Sequence, residues 1–206
     1  MFISVEAAAQ VAVGVGYNHA VRTVSMAGDR ESDGLDGFYI EATYGFELLH
    51  KSWGELAFQP GLRFSYAGES ESEKEPGLTA RESFNETYLD IPLQFKYSYP
   101  LGNVKLSAFA GPVLSFGLTS AYKVSLKGDG GDFSTKVNMY SDSAEYDYGR
   151  FDMKLGLGLG ADLTKAISLK LGYNIGLLNR YTGEQVSGYK YRIHTGVFYV
   201  GAAYSF

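Results

Sequence analysis

Leu56-Ala57-Phe58-Gln59-Pro60-Gly61-Leu62-Arg63-Phe64-Ser65-Tyr66 alternates without a break. Leu56, Phe58, Pro60, Leu62, Phe64 and Tyr66 fall on one side, and Ala57, Gln59, Gly61, Arg63 and Ser65 on the other. A period of two marks a strand with one apolar and one polar face, because successive side chains point to opposite sides. The same split recurs at 40–48, 89–99, 104–118, 151–163 and 167–177, and near the two ends at 11–17 and 198–206. Together these segments predict eight strands, and none has a helical period. Most are long enough to cross about 25–30 Å when tilted.

Composition agrees with that reading. The chain has 206 residues, with 26 Gly, 17 Tyr, 13 Phe, one Trp and no Cys. Such a length supports one domain over residues 1–206 with a full core, which excludes disorder. A net charge of −5 argues against nucleic acid as a partner, since phosphate binding needs clustered Lys and Arg. No apolar run approaches the roughly 20 residues of a spanning helix. A spanning barrel escapes that test, because its segments alternate and average out. The first residues lack a basic region followed by a long apolar one, so an exported protein is expected to have shed its signal from this chain.

The connections sort into two classes. His50-Lys51-Ser52, Pro100-Leu101-Gly102-Asn103 and Thr164-Lys165-Ala166 are short turns, whereas 18–36, 67–84, 125–147 and 179–190 are long and polar. Up-and-down connectivity puts every short turn at one end and every long loop at the other. That is the layout of an all-β, eight-stranded antiparallel transmembrane β-barrel with short periplasmic turns and four long extracellular loops.

Parity alone leaves open which face is inside. A soluble lipocalin-like barrel would carry an apolar ligand against the Leu/Phe side; a membrane barrel would turn that side to lipid. Three features favour the second. The polar side is crowded with Gly14, Gly16, Gly61, Gly111, Gly117, Gly156, Gly158, Gly160, Gly172 and Gly176, as a narrow lumen requires. Its charges have both signs, so Glu41, Glu47, Glu55, Arg63, Asp90, Lys96, Lys105, Arg150, Asp152, Lys154, Asp162 and Lys170 can neutralise one another inside. Tyr17, Tyr44, Tyr66, Tyr97, Tyr99, Tyr173 and Tyr204 stand on the apolar side as aromatic girdles would.

The stretch Tyr88-Leu89-Asp90-Ile91-Pro92-Leu93-Gln94-Phe95-Lys96-Tyr97 resembles a strand of the PorT-like outer-membrane β-barrel domains of Bacteroidota, OmpA/OmpX-like eight-stranded barrels. Phe109-Ala110-Gly111-Pro112 and Gly156-Leu157-Gly158-Leu159-Gly160-Ala161-Asp162 resemble further strands of that family in the same order, and the terminal Ala203-Tyr204-Ser205-Phe206 resembles the C-terminal aromatic signal read by the outer-membrane insertion machinery. The resemblance implies a fold and the outer membrane of a Gram-negative bacterium, not a reaction. Pro60, Pro92 and Pro112 depart from an ideal ladder and are expected at bulges or widened pairs.

Candidate chemistry is sparse. His19, His50 and His194 are the three histidines, and no spacing of ligands suggests zinc. Glu69, Glu71, Glu73 and Glu75 alternate without the Asp/Asn-Gly geometry of a calcium loop and read as a solvated acidic loop. Asp129-Gly130-Gly131-Asp132 reads as a turn, and Asn85-Glu86-Thr87 as a chance match to a glycosylation pattern. No catalytic, cofactor or metal residue is assigned. The expectation is a non-enzymatic barrel whose lumen is filled by ion pairs. Its partners would be outer-membrane lipid, including lipopolysaccharide, and other envelope proteins through the four loops. A lipid-modifying hydrolase or acyltransferase built around His194 or His19 is the alternative from another class.

Overall fold

In a computed structural model the described residues are 10–128, 131–140, 148–183 and 190–206. They form nine strands: β1 (Gln10–Met26), β2 (Asp29–Lys51), β3 (Gly54–Glu75), β4 (Leu78–Leu101), β5 (Val104–Gly128), β6 (Gly131–Asn138), β7 (Phe151–Asp162), β8 (Ile167–Gly176) and β9 (Arg192–Ser205). All pairings are antiparallel. The order β4-β3-β2-β1-β9-β8-β7-β5 closes through a β4–β5 pairing, so every strand but β6 belongs to the ring. A closed ring leaves no unpaired edge in the lipid, where an unsatisfied peptide group is costly.

The apolar parity faces outward. Leu62, Val15 and Leu159 are 51%, 57% and 58% exposed, whereas Tyr199, Asp152 and Lys154 on the other parity are at most 1% exposed. A soluble barrel needs the reverse, so the lipocalin-like alternative is excluded. The glycines of the polar side make room for rings: an idealised Cβ on Gly172 would lie 2.5 Å from Tyr199, and one on Gly16 2.6 Å from Tyr39.

The short turns stand where the alternation stops, at Ser52-Trp53, Gly102-Asn103 and 163–166. Tyr97 Oη donates to the Trp53 carbonyl (2.9 Å) and the two rings stack, which ties the first turn to β4. Ladder pairs are missing beside Pro60, Pro92 and Pro112, but the register resumes unshifted. Those prolines therefore mark widened pairs. The register shifts lie elsewhere, at Glu47/Leu49 and Thr87/Tyr88.

The long connections differ most from expectation. Segment 18–36 is mostly strand: β1 and β2 stay paired up to Met26↔Asp29. Segment 67–84 is a hairpin paired up to Glu75↔Leu78. In 125–147, β5 runs to Gly128 and β6 returns beside it, which adds a ninth strand. Asp129 and Gly130, with 141–147 and 184–189, lie outside the described residues. Alternating polar residues form strands as readily as amphipathic ones once a partner strand satisfies their backbone, and a search for an apolar face misses them. Above Gly68↔Asn85↔Ala121↔Asn138, β3, β4, β5 and β6 form a four-stranded sheet standing clear of the ring. The β2–β3 pairing ends at Asp36↔Gly68, so the β1–β2 hairpin rises separately.

Candidate functional site: the lumen and its outer mouth

Polar side chains line the lumen at three levels. At the turn end a cavity of about 610 Å³ is lined by Glu55, Lys96, Lys105, Asp162, Glu41 and Lys170. Across it Lys96 Nζ donates to Asp162 (3.0 and 3.1 Å) and Lys105 Nζ to Glu55 (2.6 Å). His50 stands at the rim, 3.4 Å from both Glu47 and Glu55.

The middle level is the tightest. Arg63 donates through Nε and Nη2 to Glu41 Oε2 (2.9 and 2.7 Å), and Lys170 pairs with Glu41 Oε1. The Arg63 guanidinium lies over the rings of both Tyr39 and Tyr199, 4.6 and 4.1 Å from their centroids. Tyr39, Tyr199 and Phe109 form one buried aromatic cluster. A planar, weakly hydrated cation suits this place, since ring faces and a carboxylate replace its water. Just above, Asp90 accepts from Ser115 Oγ (2.5 Å) and Ser65 Oγ (3.4 Å), with Lys154 Nζ at 3.8 Å.

The outer mouth is closed by residues of two connections. Arg180, 1% exposed, follows β8, while Tyr140 and Tyr148 lie between β6 and β7. Arg180 donates to Tyr88 Oη (2.6 Å), Tyr148 Oη (2.7 Å) and Tyr140 Oη (2.8 Å), and twice to the Gly149 carbonyl (3.0 and 2.8 Å). Tyr88 Oη donates onward to the buried Glu86 (2.6 Å), which also accepts from Ser120 Oγ (3.2 Å). Burial pushes the Tyr140 and Tyr148 hydroxyls above their ordinary range, so they remain neutral hydrogen-bonding groups. Burial also opposes the charge on Arg180, but the surrounding tyrosines and Glu86 outweigh it and its pKa is raised.

Most residues expected in the lumen meet there as pairs. Arg150 differs: it donates to the carbonyls of Gly117, Leu118 and Tyr140. Sequence reading missed Arg180, Glu86, Tyr88, Tyr140 and Tyr148. Glu86 and Tyr88 carry the lumen parity of β4 and could have been found by extending it; nothing local marks Arg180 in a polar segment. Glu69, Glu71 and Glu73 belong to β3, and no cluster of metal ligands occurs among the described residues. By the register His19 stands two residues beyond the boundary tyrosine Tyr17 on β1, and His194, opposite Thr23, six residues beyond it. His19 Nδ1 lies 2.7 Å from Asp36 Oδ1, and Tyr17 Oη donates to the same oxygen. His194 pairs across the ladder with Thr23, whose hydroxyl meets Ser32 Oγ at 3.0 Å.

A closed antiparallel ring with lipid-compatible residues outside and paired charges inside defines a transmembrane β-barrel of the bacterial outer membrane. Residues 6–182 match the family described as outer membrane protein beta-barrel domain, and the chain belongs to it. Its place is the outer membrane of a Gram-negative cell. No curated protein matches the chain. Among solved structures it is similar to Ail, the attachment invasion locus protein of Yersinia pestis, in complex with the heparin analogue sucrose octasulfate (13% identity, 96% of this chain and 99% of that one, TM-score 0.44). It is also similar to Neisserial surface protein A (15%, 94% and 97%, TM-score 0.40) and to the outer membrane enzyme PagL (10%, 90% and 97%, TM-score 0.39).

Proposed function

We propose that the protein is a non-enzymatic outer-membrane anchor, one barrel domain over residues 1–206, whose extracellular strands dock another envelope protein. The observation that carries this reading is the contrast along the barrel axis. Side chains stop the lumen at the Arg63–Glu41–Lys170 level and again at Arg180, while β3–β6 run on beyond the ring as a paired sheet. A stopped lumen suits anchoring better than transport, and a rigid displayed sheet suits docking. The Tyr88–Tyr97 motif favours the PorT-like subgroup. Photo-crosslinkers at Glu71 and Thr135, which share the side of the sheet turned away from the membrane-facing row, are expected to capture one and the same protein in native membranes, and crosslinkers at His50 are not. Identical capture from both ends of the barrel, or none from the sheet, would overturn the proposal.

One observation favours the hydrolase or acyltransferase reading: the His19–Asp36 pair at the lipid boundary, the arrangement that orients a catalytic imidazole. Loss of a lipid-modifying activity in His19→Ala would establish it, and unchanged lipid profiles in His19→Ala and His194→Ala would remove it.

A further inference from the structure

The free-standing sheet has two chemically opposite sides. Paired residues share a side, and sides alternate along each strand. Continuing the lipid-facing row of β3 upward from Tyr66, the register puts Lys74, Arg81, Lys123, Lys127 and Lys136 on the outer side, with Asp132 its one acid. The reverse side carries Glu69, Glu71, Glu73 and Glu82. A chain of net charge −5 has thus gathered five cations on the surface that rises directly from the membrane.

That outer side is concave near its base. A depression of about 360 Å³ is lined by Arg81, Lys123, Ser70, Ser83, Ser125 and Asn85, with Tyr66 at its lower edge. Glu69, which the register places on the reverse side, is its one acidic lining residue. Arg81 is held in place through Nε, which donates to Ser70 Oγ (3.0 Å), while Ser70 donates to the Glu82 carbonyl (3.3 Å). This bond leaves the Nη groups of the guanidinium for a ligand. Ser125 and Ser134 hydroxyls meet at 3.2 Å beside Lys123. Two cations among short hydroxyls suit a phosphate, because the guanidinium and the hydroxyls together match tetrahedral oxygens.

Height selects the source of that phosphate. Lys123 lies in the row Ser70↔Ser83↔Lys123, four residues beyond Tyr66 on β3. That is about 13 Å along the strand and about 10 Å above the aromatic boundary at ordinary barrel tilt. Headgroups of the outer leaflet occupy this layer, and cations near an anionic surface bind it within a Debye length.

We infer that the outer side of the β3–β6 sheet is a binding site for the phosphates of an outer-leaflet glycolipid, centred on Arg81 and Lys123. This goes beyond immersion of the barrel in lipid, and it rests on the outer-membrane location, not on the docking proposal.

The test uses the full chain refolded in phosphatidylcholine nanodiscs containing bisphosphorylated lipid A or the same lipid after phosphatase treatment. Bisphosphorylated lipid A is expected to slow amide hydrogen exchange in 68–85 and 121–127, and the dephosphorylated lipid is not. In Arg81→Gln/Lys123→Gln half-saturation should need roughly tenfold more lipid A, since two charge-assisted contacts are lost. Both positions are exposed, so heat-modifiable migration should show an intact barrel. The control Lys51→Gln/Lys165→Gln, at the turn end, should behave as wild type. Equal protection by both lipids, or an unchanged double variant, would overturn the site. Protection by sodium phosphate alone, or by a heparin fragment but not lipid A, would overturn the lipid as its ligand.

Discussion

Glu41 is the residue on which the lumen charges converge. It is buried, accepts two bonds from Arg63 and pairs with Lys170 through its other oxygen. Removing a shared counter-ion leaves two buried cations unpaired, whereas removing one cation leaves a pair. Glu41→Leu is therefore expected to cost about 3–5 kcal/mol of stability. Arg63→Leu should cost less, because Lys170 still answers Glu41, yet it should destabilise despite adding apolar surface. Urea midpoints of the refolded variants in lipid vesicles measure both; an Arg63→Leu midpoint at the wild-type value would argue against a polar lumen. Parity placed Glu41, Arg63 and Lys170 on one face. Which of them meet depends on strand stagger around a closed ring, which a local pattern does not contain.

At the scale of the element, the β1–β2 hairpin shows what patterning misses. Residues 18–36 read as a loop because their alternation is polar, and they are strand because each backbone group finds its partner across the hairpin. The base of this hairpin is held by Asp36, which accepts from Tyr17 and meets His19. The Tyr17 hydroxyl first, and His19 second, hold the Asp36 carboxyl below its ordinary value. A carboxyl depressed on folding stabilises above its unfolded pKa of about 3.9. That contribution is lost as pH falls through the lower folded value. Amides of 18–36 should therefore lose hydrogen-exchange protection below about pH 4, and Asp36→Asn should remove the dependence. Protection that is flat from pH 6 to strongly acid conditions, to the order of one unit steps, would contradict this account.

For the whole molecule, the question is what fills the ring. Tyr39, Tyr199 and Phe109 form the aromatic cluster across its middle, between the turn-end cavity and the mouth closed by Arg180. Wild-type protein in planar bilayers is expected to show no steady conductance. Tyr39→Ala/Phe109→Ala/Tyr199→Ala alone should stay closed at the Arg180 level, and adding Arg180→Ala should open a water path and give channel events, at a stability cost of several kcal/mol from the cavity left behind. Steady conductance in the wild type would show that these rings do not stop the lumen.

The chain by itself determined the strand period, the short-turn end, and the side of each strand that meets lipid. Those properties follow from neighbours along the sequence and from the solvent each face must match. Tertiary structure alone decided the ninth strand, the partners of the lumen charges and the buried cage around Arg180. These rest on contacts between residues far apart in the chain, such as Arg180 with Tyr88 and Lys96 with Asp162. Closing the ring sets those distances, because the stagger of every strand fixes which levels of the lumen coincide.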